Sequence, residues 1–170
     1  MNGNEYENVV WAHKDTVHAY ASSILRNRTE AQDVAQEALV RLWQRRDSVE
    51  PDGARPWLLR TAHNLCIDQI RKRKVRSETD DGDESFERQA DDGPTPQALA
   101  ESGELRREID RALEGLGEED RAVIVMREMQ QLPYDEIATV MNVPLGTLKA
   151  RLHRAREKLR QRLCRAGVTP

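Results

Sequence analysis

The stretch that decides the fold is YDEIATVMNVPLGTLKARLHRAREKLRQRL, which runs from Tyr134 to Leu163. Its first part carries Ile137, Ala138 and Met141 at helical spacing on one side. Its second part has a narrow apolar seam formed by Leu148, Leu152, Ala155, Leu159 and Leu163. Between the two lies Asn142-Val143-Pro144, where asparagine tolerates the left-handed backbone that ends a helix and proline can open the next one. This pattern predicts a helix-turn-helix.

The second helix of this pair is strongly basic. Against the single acid Glu157 it carries seven bases, namely Lys149, Arg151, Arg154, Arg156, Lys158, Arg160 and Arg162. A basic helix presented by a tight turn fits the DNA major groove. It can equally be a solvated face, because basic helices and short helix pairs occur in many all-α proteins. The helix pair alone leaves both interpretations open.

Charge is distributed unevenly along the 170 residues, whose formal net charge is only −3. Residues 55–76 hold seven bases against one acid, and residues 145–165 hold eight bases against one acid. Residues 77–104 hold ten acids against one base and contain few large apolar side chains. Such a segment cannot offset its ordering entropy by burial, so it is typical of a flexible acidic linker between two basic surfaces.

Helical periodicity appears on both sides of this acidic segment, and strand-like alternation appears nowhere in the sequence. Residues 5–26 predict a first helix, and Thr29 followed by Gln32 predicts a capping box that opens a second. Residues 47–56 are a loop by composition, and Pro56 can open the next helix. After Gly117 comes a helix whose inward side we expect to carry Ala122, Val123, Met126 and Met129.

We therefore predict an all-α chain of two small helical domains. The N-terminal domain covers residues 1–76, the flexible acidic linker covers 77–104, and the C-terminal helix-turn-helix domain covers 105–166.

The sequence lacks the side-chain clusters that active sites need. His63 and Cys66 are one helical turn apart, but two ligands make only half of a metal site, so we expect no metal, no cofactor and no enzyme activity. Cys66 and Cys164 are too few for a disulfide framework, which favours a reducing compartment. With no signal pattern and no membrane-length apolar run, we expect a cytoplasmic protein that does not insert into membranes.

Three segments of the chain resemble motifs of one family, the bacterial RNA polymerase sigma factors. Residues 30–43, EAQDVAQEALVRLW, resemble the helix by which these factors bind polymerase. Residues 55–73, RPWLLRTAHNLCIDQIRKR, resemble their promoter-melting helix. LGEEDR at 116–121, YDEIA at 134–138 and PLGTLKARLHRAR at 144–156 are similar to their C-terminal DNA-binding domain. The length, with only these two domains, resembles the extracytoplasmic-function (ECF) type.

The resemblance implies a transcription initiation factor that binds core RNA polymerase, directs it to specific promoters and promotes their melting. Asp33, Gln36 and Glu37 match the family positions that contact the coiled coil of the largest polymerase subunit. An exposed acidic and amide patch suits this role, because it can accept hydrogen bonds from arginines of a partner. Relatives are usually held inactive by an anti-sigma protein, so the resemblance also implies that partner.

For the minus-ten promoter element, the resemblance implies a pocket that captures an unstacked base. Asn64 matches the bottom of this pocket, where an amide offers both a donor and an acceptor to a base edge. The loop over residues 47–54 matches the segment that covers the flipped base. Its start, Ser48-Val49, lacks the aromatic residue that many relatives carry there. The expected minus-ten contacts are Asn64, Ser48, Arg60, Arg71 and Arg73.

For the minus-thirty-five element, the resemblance implies contacts from the basic helix of the helix-turn-helix. Lys149, Ala150, His153 and Arg154 match positions that face base edges. Arg151 and Arg156 are expected to contact phosphates, and Thr147 lies at the helix N-terminus, where free N–H groups favour a phosphate.

Two other functions remain open at this point. One is a self-contained repressor or activator that uses only the helix-turn-helix and dimerises through its first domain. The other is a protein-interaction module whose basic helices bind an acidic partner. Binding to core polymerase distinguishes the first hypothesis from both.

Overall fold

The computed structural model describes residues 1–79 and 99–168, and the side chains of residues 1–77 and 103–168. In these ranges every regular element is helical, which confirms the all-α prediction. The helices are α1 (Gly3–Leu25), α2 (Arg28–Gln44), α3 (Ala54–Thr79), α4 (Leu99–Glu114), α5 (Glu118–Ile124), α6 (Tyr134–Met141) and α7 (Leu145–Arg165). Among them, no helix has both the length and the apolar character needed to cross a membrane.

The ends of the acidic segment, residues 77–104, are helical. Helix α3 runs on to Thr79, and α4 begins at Leu99, within the residues 96–100 where the sequence pattern predicts that a helix resumes. The intervening residues 80–98 lie outside the described part of the chain, and with them most of the expected linker.

Helices α1, α2 and α3 pack together as the N-terminal domain. Helix α1 begins with a capping box between Asn2 and Glu5 and ends at Arg26, whose backbone is left-handed with φ of 55°. Helix α2 is capped by Asn27, whose side chain accepts a hydrogen bond from the Glu30 N–H at 3.0 Å. The predicted cap at Thr29 is therefore wrong. The turn at Arg26 places Asn27 in extended backbone just before the helix, and Thr29 falls inside the first turn.

The C-terminal domain confirms the predicted helix-turn-helix. Helix α6 ends at Asn142, which adopts the left-handed conformation with φ of 53°, and Pro144 precedes α7. Leu148, Leu152 and Ala155 of the apolar seam are buried. Farther along α7, Leu159 and Leu163 of the seam are only half-buried.

One predicted core position of this domain is wrong. Met129 was expected inward, but it is 53% exposed, whereas Ile124 and Val125 are buried. The reason is a π-helical turn over Val125–Met129, closed by a hydrogen bond from the Gln130 N–H to the Val125 carbonyl at 3.0 Å. The wider turn displaces the following side chains around the helix axis, so the 3.6-residue period no longer locates them.

The two domains pack directly against each other. Helix α3 contacts α1 and α2 on one side and α6 on another, so the buried residues of both domains join in one core. Tyr20, which the sequence pattern did not single out, is fully buried in this core and bonds through its hydroxyl to His63 Nδ1 at 2.8 Å. Arg55 also donates to the Gln130 carbonyl of the C-terminal domain at 2.5 Å.

Gln131, just after the π-helical turn, provides a test of backbone strain. It is exposed and has φ of 55°, a conformation that costs a side-chain-bearing residue roughly 1–2 kcal/mol. Gln131→Gly should therefore raise the free energy of unfolding by about 0.5–1 kcal/mol after glycine's larger entropy loss. Urea denaturation measures this. Asn142→Gly at φ of 53° is the matched control and should gain less, because asparagine already tolerates this conformation; equal gains would contradict the strain at Gln131.

Candidate polymerase and nucleic-acid interfaces

The expected polymerase-binding residues share the outer face of α2. Asp33, Gln36 and Glu37 are all exposed, while Ala31, Val34, Ala35, Ala38 and Leu42 of the same helix are buried against the domain core. Glu37 forms an ion pair with Arg41 at 2.7 Å. The amphipathic pattern of α2 thus separates a structural face from a polar face that is open to a partner.

Two apolar residues continue this outer face, and sequence reasoning did not single them out as functional. Val40 and Trp43 are 48% and 42% exposed. Trp43 is fixed in place because its ring packs edge-on against Tyr6, with centroids 4.9 Å apart, and Arg46 lies 4.2 Å over its face. Their helical spacing after Gln36 and Glu37 was the signal that could have identified them. The α2 patch, Asp33, Gln36, Glu37, Val40 and Trp43, therefore combines polar acceptors with apolar anchors.

A cleft of about 450 Å³ lies between α2 and α3, next to this patch. Its lining is mostly basic and polar, with one aromatic ring, and consists of Arg41, Gln44, Arg45, Trp57, Arg60, Thr61 and Asn64. Two expected minus-ten residues, Asn64 and Arg60, meet here, and both are exposed. The cleft thus offers an amide, a ring and cations within one concave surface.

The remaining expected minus-ten residues are placed differently. Ser48 is exposed but lies in the turn after α2, where its hydroxyl donates to the Arg45 carbonyl at 3.0 Å, and its neighbour Val49 is buried. Arg71 is exposed on α3, beyond the cleft. Arg73 is turned inward: it pairs with Glu30 and donates to the Leu25 carbonyl at 3.2 Å. In this conformation Arg73 stabilises the junction of three helices rather than facing a ligand.

Trp57 supplies the aromatic ring that the loop lacks. It is half-buried on α3 and lines the cleft. The helical spacing from Trp57 to Asn64, two turns apart on one face, was the signal that could have found it.

The expected upstream-element residues divide into two sets on α7. Thr147, Lys149, Ala150, His153 and Arg154 are exposed on one face. Neither Lys149 nor Arg154 has an ion-pair partner among the described side chains. Because these residues recur at three- and four-residue spacing from the N-terminal end of α7, they form one surface that a groove can accommodate.

The basic side chains of the second set are paired with acids of α5 and of the π-helical turn. Arg151 pairs with Glu119 at 2.6 Å and Arg156 donates through Nε to Glu128 at 2.8 Å. Lys158, with Asp120 at 2.6 Å, adds a third such contact. The hydrogen bond to Glu128 raises the pKa of Arg156. The guanidinium is therefore fully charged, but it is already paired with Glu128.

Comparison with known proteins agrees with this geometry. Residues 9–76 match the family described as Sigma-70 region 2, and residues 106–159 match Sigma-70, region 4. The ECF RNA polymerase sigma factor SigW of Bacillus subtilis is 34% identical over 165 residues, which cover 93% of this chain and 88% of SigW. The ECF RNA polymerase sigma factor SigE of Mycolicibacterium smegmatis is 30% identical over 161 residues, covering 94% of this chain but only 62% of SigE.

The chain belongs to the ECF family of sigma factors. Its two matched regions are those by which sigma factors support promoter-specific initiation of transcription by RNA polymerase. Among solved structures, the sigma factor RpoE from Bartonella quintana, in complex with the anti-sigma factor NepR, shares the fold. It gives a TM-score of 0.76 at 24% identity and covers 93% of this chain and 96% of that chain.

His63 and Cys66, which together could form only half of a metal site, are structural residues in this sigma factor. His63 is buried against Tyr20, and burial lowers its pKa, so the ring favours the neutral form. Burial also raises the pKa of the Cys66 thiol to about 12, which makes it an unreactive core residue. Cys164 is exposed on α7. Within the described ranges no group of three metal-ligating side chains comes together.

Proposed function

We propose that this sigma factor divides its work among the three surfaces described above. The α2 patch binds polymerase, the cleft between α2 and α3 captures an unpaired minus-ten base, and the exposed face of α7 contacts the minus-thirty-five element. The observation that carries this proposal is that α2 builds both the patch and one wall of the cleft. One rigid helix thus sets the position of the melted strand relative to polymerase.

The domain limits are 1–76 and 105–166, and the chain acts without catalysing a reaction itself, since opening is driven by stronger binding to the unstacked strand. It works in the cytoplasm, where polymerase and promoters are. Because RpoE of the solved complex assembles with an anti-sigma factor, we also propose such a partner for this chain.

The polymerase contact combines acceptors with desolvated apolar area. Asp33, Gln36 and Glu37 can accept hydrogen bonds from arginines, and a hydrogen bond to a charged group contributes roughly 1.5–3 kcal/mol. Val40 and Trp43 add the apolar and aromatic contacts that are enriched at the centre of protein interfaces. Since Tyr6 and Arg46 already hold Trp43, little side-chain entropy is lost on binding.

Asp33→Ala tests the α2 patch. It should weaken binding to core polymerase about 10- to 100-fold, because an exposed carboxylate that accepts hydrogen bonds from the partner is lost. Fluorescence titration of the full chain with core polymerase measures the effect. Asp15→Ala, an exposed aspartate of α1, is the matched control and should leave the affinity unchanged; equal affinities for the two variants would contradict the assignment.

In the cleft, recognition uses two chemistries. The Trp57 ring offers a face on which a base can stack, worth roughly 1–3 kcal/mol per base. The amide of Asn64 offers a donor and an acceptor to the base edge, while Arg41, Arg45 and Arg60 surround the opening with positive charge for the backbone. A base reaches these groups only when it has left the duplex stack, so binding here favours the melted promoter.

Asn64→Ala should therefore impair promoter opening more than initial promoter binding. We expect open complexes to fall roughly 5- to 100-fold, the loss of one good base contact, with closed-complex affinity little changed. Permanganate reactivity of promoter thymines reports opening, and a mobility-shift titration on duplex DNA reports binding. Asn4→Ala, the same change at an exposed site near the start of α1, should affect neither. Parallel losses in both assays would refute the strand-capture role.

The contact with the minus-thirty-five element depends on which basic side chains of α7 lack an ion-pair partner among the described residues. Arg154 has no ion-pair partner in the described chain and shares an exposed face with Ala150 and His153, so its guanidinium can reach a guanine edge. Arg156 can contact a phosphate only by sharing or leaving Glu128. The two residues therefore differ in what their loss should do.

Arg154→Ala should relax base preference at one upstream position by about 1–3 kcal/mol. Arg156→Ala should weaken all upstream sequences alike and reduce the salt slope by at most about one phosphate contact. Competition between promoter variants for the polymerase complex, at several salt concentrations, separates these outcomes. A sequence-independent loss for Arg154→Ala would place it on the DNA backbone instead.

A further inference from the structure

We propose that Glu119, Asp120 and Glu128 determine how selective the C-terminal domain is for its DNA. Each of these acids forms an ion pair with a basic side chain at an edge of α7. The pairs limit contacts with the phosphates of any duplex, so that the exposed face of α7, which can reach DNA bases, decides which DNA is bound. This inference rests on the proposed function, because it concerns the same minus-thirty-five contact.

The three ion pairs border the exposed face of α7 on both sides. Ala150 lies near the middle of that face, between His153 and Arg154. At about 100° per residue, Arg156 is about 120° from Ala150 in one direction around the helix axis. The basic side chains of the other two pairs are about 100° and about 80° from Ala150 in the opposite direction. One edge therefore carries Arg156 with Glu128, and the other carries Arg151 with Glu119 and Lys158 with Asp120.

The two edges of α7 are the parts that meet DNA phosphates. A helix about 10–12 Å across fills a major groove about 12 Å wide, so its central face meets base edges while its two edges lie beside the two backbones. Each ion pair then weakens a phosphate contact in two ways. The basic side chain is already occupied, and the paired carboxylate repels the phosphate.

The acids are held beside α7 by the fold of the domain. Helices α5 and α7 pack against each other, and the Asp120 side chain in the first turn of α5 is only 17% exposed. Glu128 belongs to the π-helical turn, and its Oε1 accepts hydrogen bonds from Arg156 Nε at 2.8 Å and Nη2 at 2.5 Å. Because these acids belong to neighbouring elements, they stay beside α7 whichever DNA sequence approaches.

General affinity for DNA depends on how many phosphates are neutralised. Each neutralised phosphate adds about 0.9 to the slope of log affinity against log salt concentration. The ion pairs reduce this contribution at both edges, whereas contacts from Lys149 and Arg154 to base edges do not involve the paired side chains. Since non-promoter DNA is in great excess in a genome, a low general affinity leaves the sigma factor free for polymerase.

Glu128→Gln combined with Asp120→Asn tests this role by removing one negative charge from each edge. Glutamine and asparagine keep the size and an oxygen acceptor, so hydrogen bonds to Arg156 and Lys158 can persist while the carboxylates are lost. Fluorescence anisotropy of the full chain with a duplex that lacks both promoter elements measures general affinity. The salt slope should steepen by up to about 1.8. The affinity of the double variant relative to wild type should therefore rise up to about 12-fold as salt falls from about 200 to about 50 mM.

Two controls separate the position of these acids from their charge. Glu104→Gln with Asp110→Asn removes the same charge from two exposed positions of α4 and should leave the salt slope unchanged. In a background of Arg156→Ala with Lys158→Ala, the two changes at Glu128 and Asp120 should give no gain, because no basic side chain is released.

Two results would overturn the proposal. One is a double variant whose general affinity and salt slope equal or fall below those of wild type, as expected if the pairs only stabilise the fold. The other is an equal gain in either control. The proposed function is tested separately by the base preference of the polymerase complex at the upstream element. If that complex shows no preference while the double variant gains general affinity, the minus-thirty-five role fails, but the control of phosphate contacts by these acids stands.

Discussion

The guanidinium of Arg121 is the interaction on which the rest of the arrangement depends. It donates to the carbonyls of Leu113 at 3.0 Å, Glu114 at 2.9 Å and Leu116 at 3.2 Å, where α4 ends, and to that of Ile24 at 3.0 Å, where α1 ends. The last carbonyls of a helix have no partner within it, and a planar fork of five donors can satisfy several at once. The same side chain thus fixes the α4–α5 turn and holds that turn against the C-terminal end of α1 in the N-terminal domain.

Because the second domain sits on α1 and α3, helix α3 has to be apolar on more than one side. Leu58 and Ala62 are buried together with Leu59, His63 and Cys66, which cover a broad sector of the helix. Only the remaining sector, with Asn64 and Arg60, stays open at the cleft. Packing of the domains and exposure of the strand-capturing groups are therefore two consequences of how one helix distributes its side chains around its axis.

Local signals in the sequence predicted the local structure, and failed where a distant contact or an unusual turn decided. Asn142 and Pro144 predicted the turn of the helix-turn-helix because each acts through its own backbone. Met129 was misplaced because a π-helical turn breaks the period on which the prediction depended. The contact from Arg26 to Asp110 joins residues 84 positions apart, and no periodicity or capping signal encodes it. The exposure of Asp33, Gln36 and Glu37 was predictable from amphipathicity. The exposure of Trp43 and the place of Trp57 in the cleft were not, since an aromatic residue is usually core.

Distant contacts also decide which charges of α7 are free, and the sequence pattern did not predict them. Its sequence shows many basic side chains, but several of them are already paired with acids and are not free to contact DNA. Acids near the start of α5 and in the π-helical turn hold Arg151, Arg156 and Lys158, so a phosphate must compete with Glu119, Glu128 or Asp120 for each of them. Lys149 and Arg154 face no such competition among the described side chains. These acids thereby restrict strong DNA contacts to one face of α7. Because that face carries few free cations beside Ala150 and His153, it favours discrimination between DNA bases over general affinity for DNA.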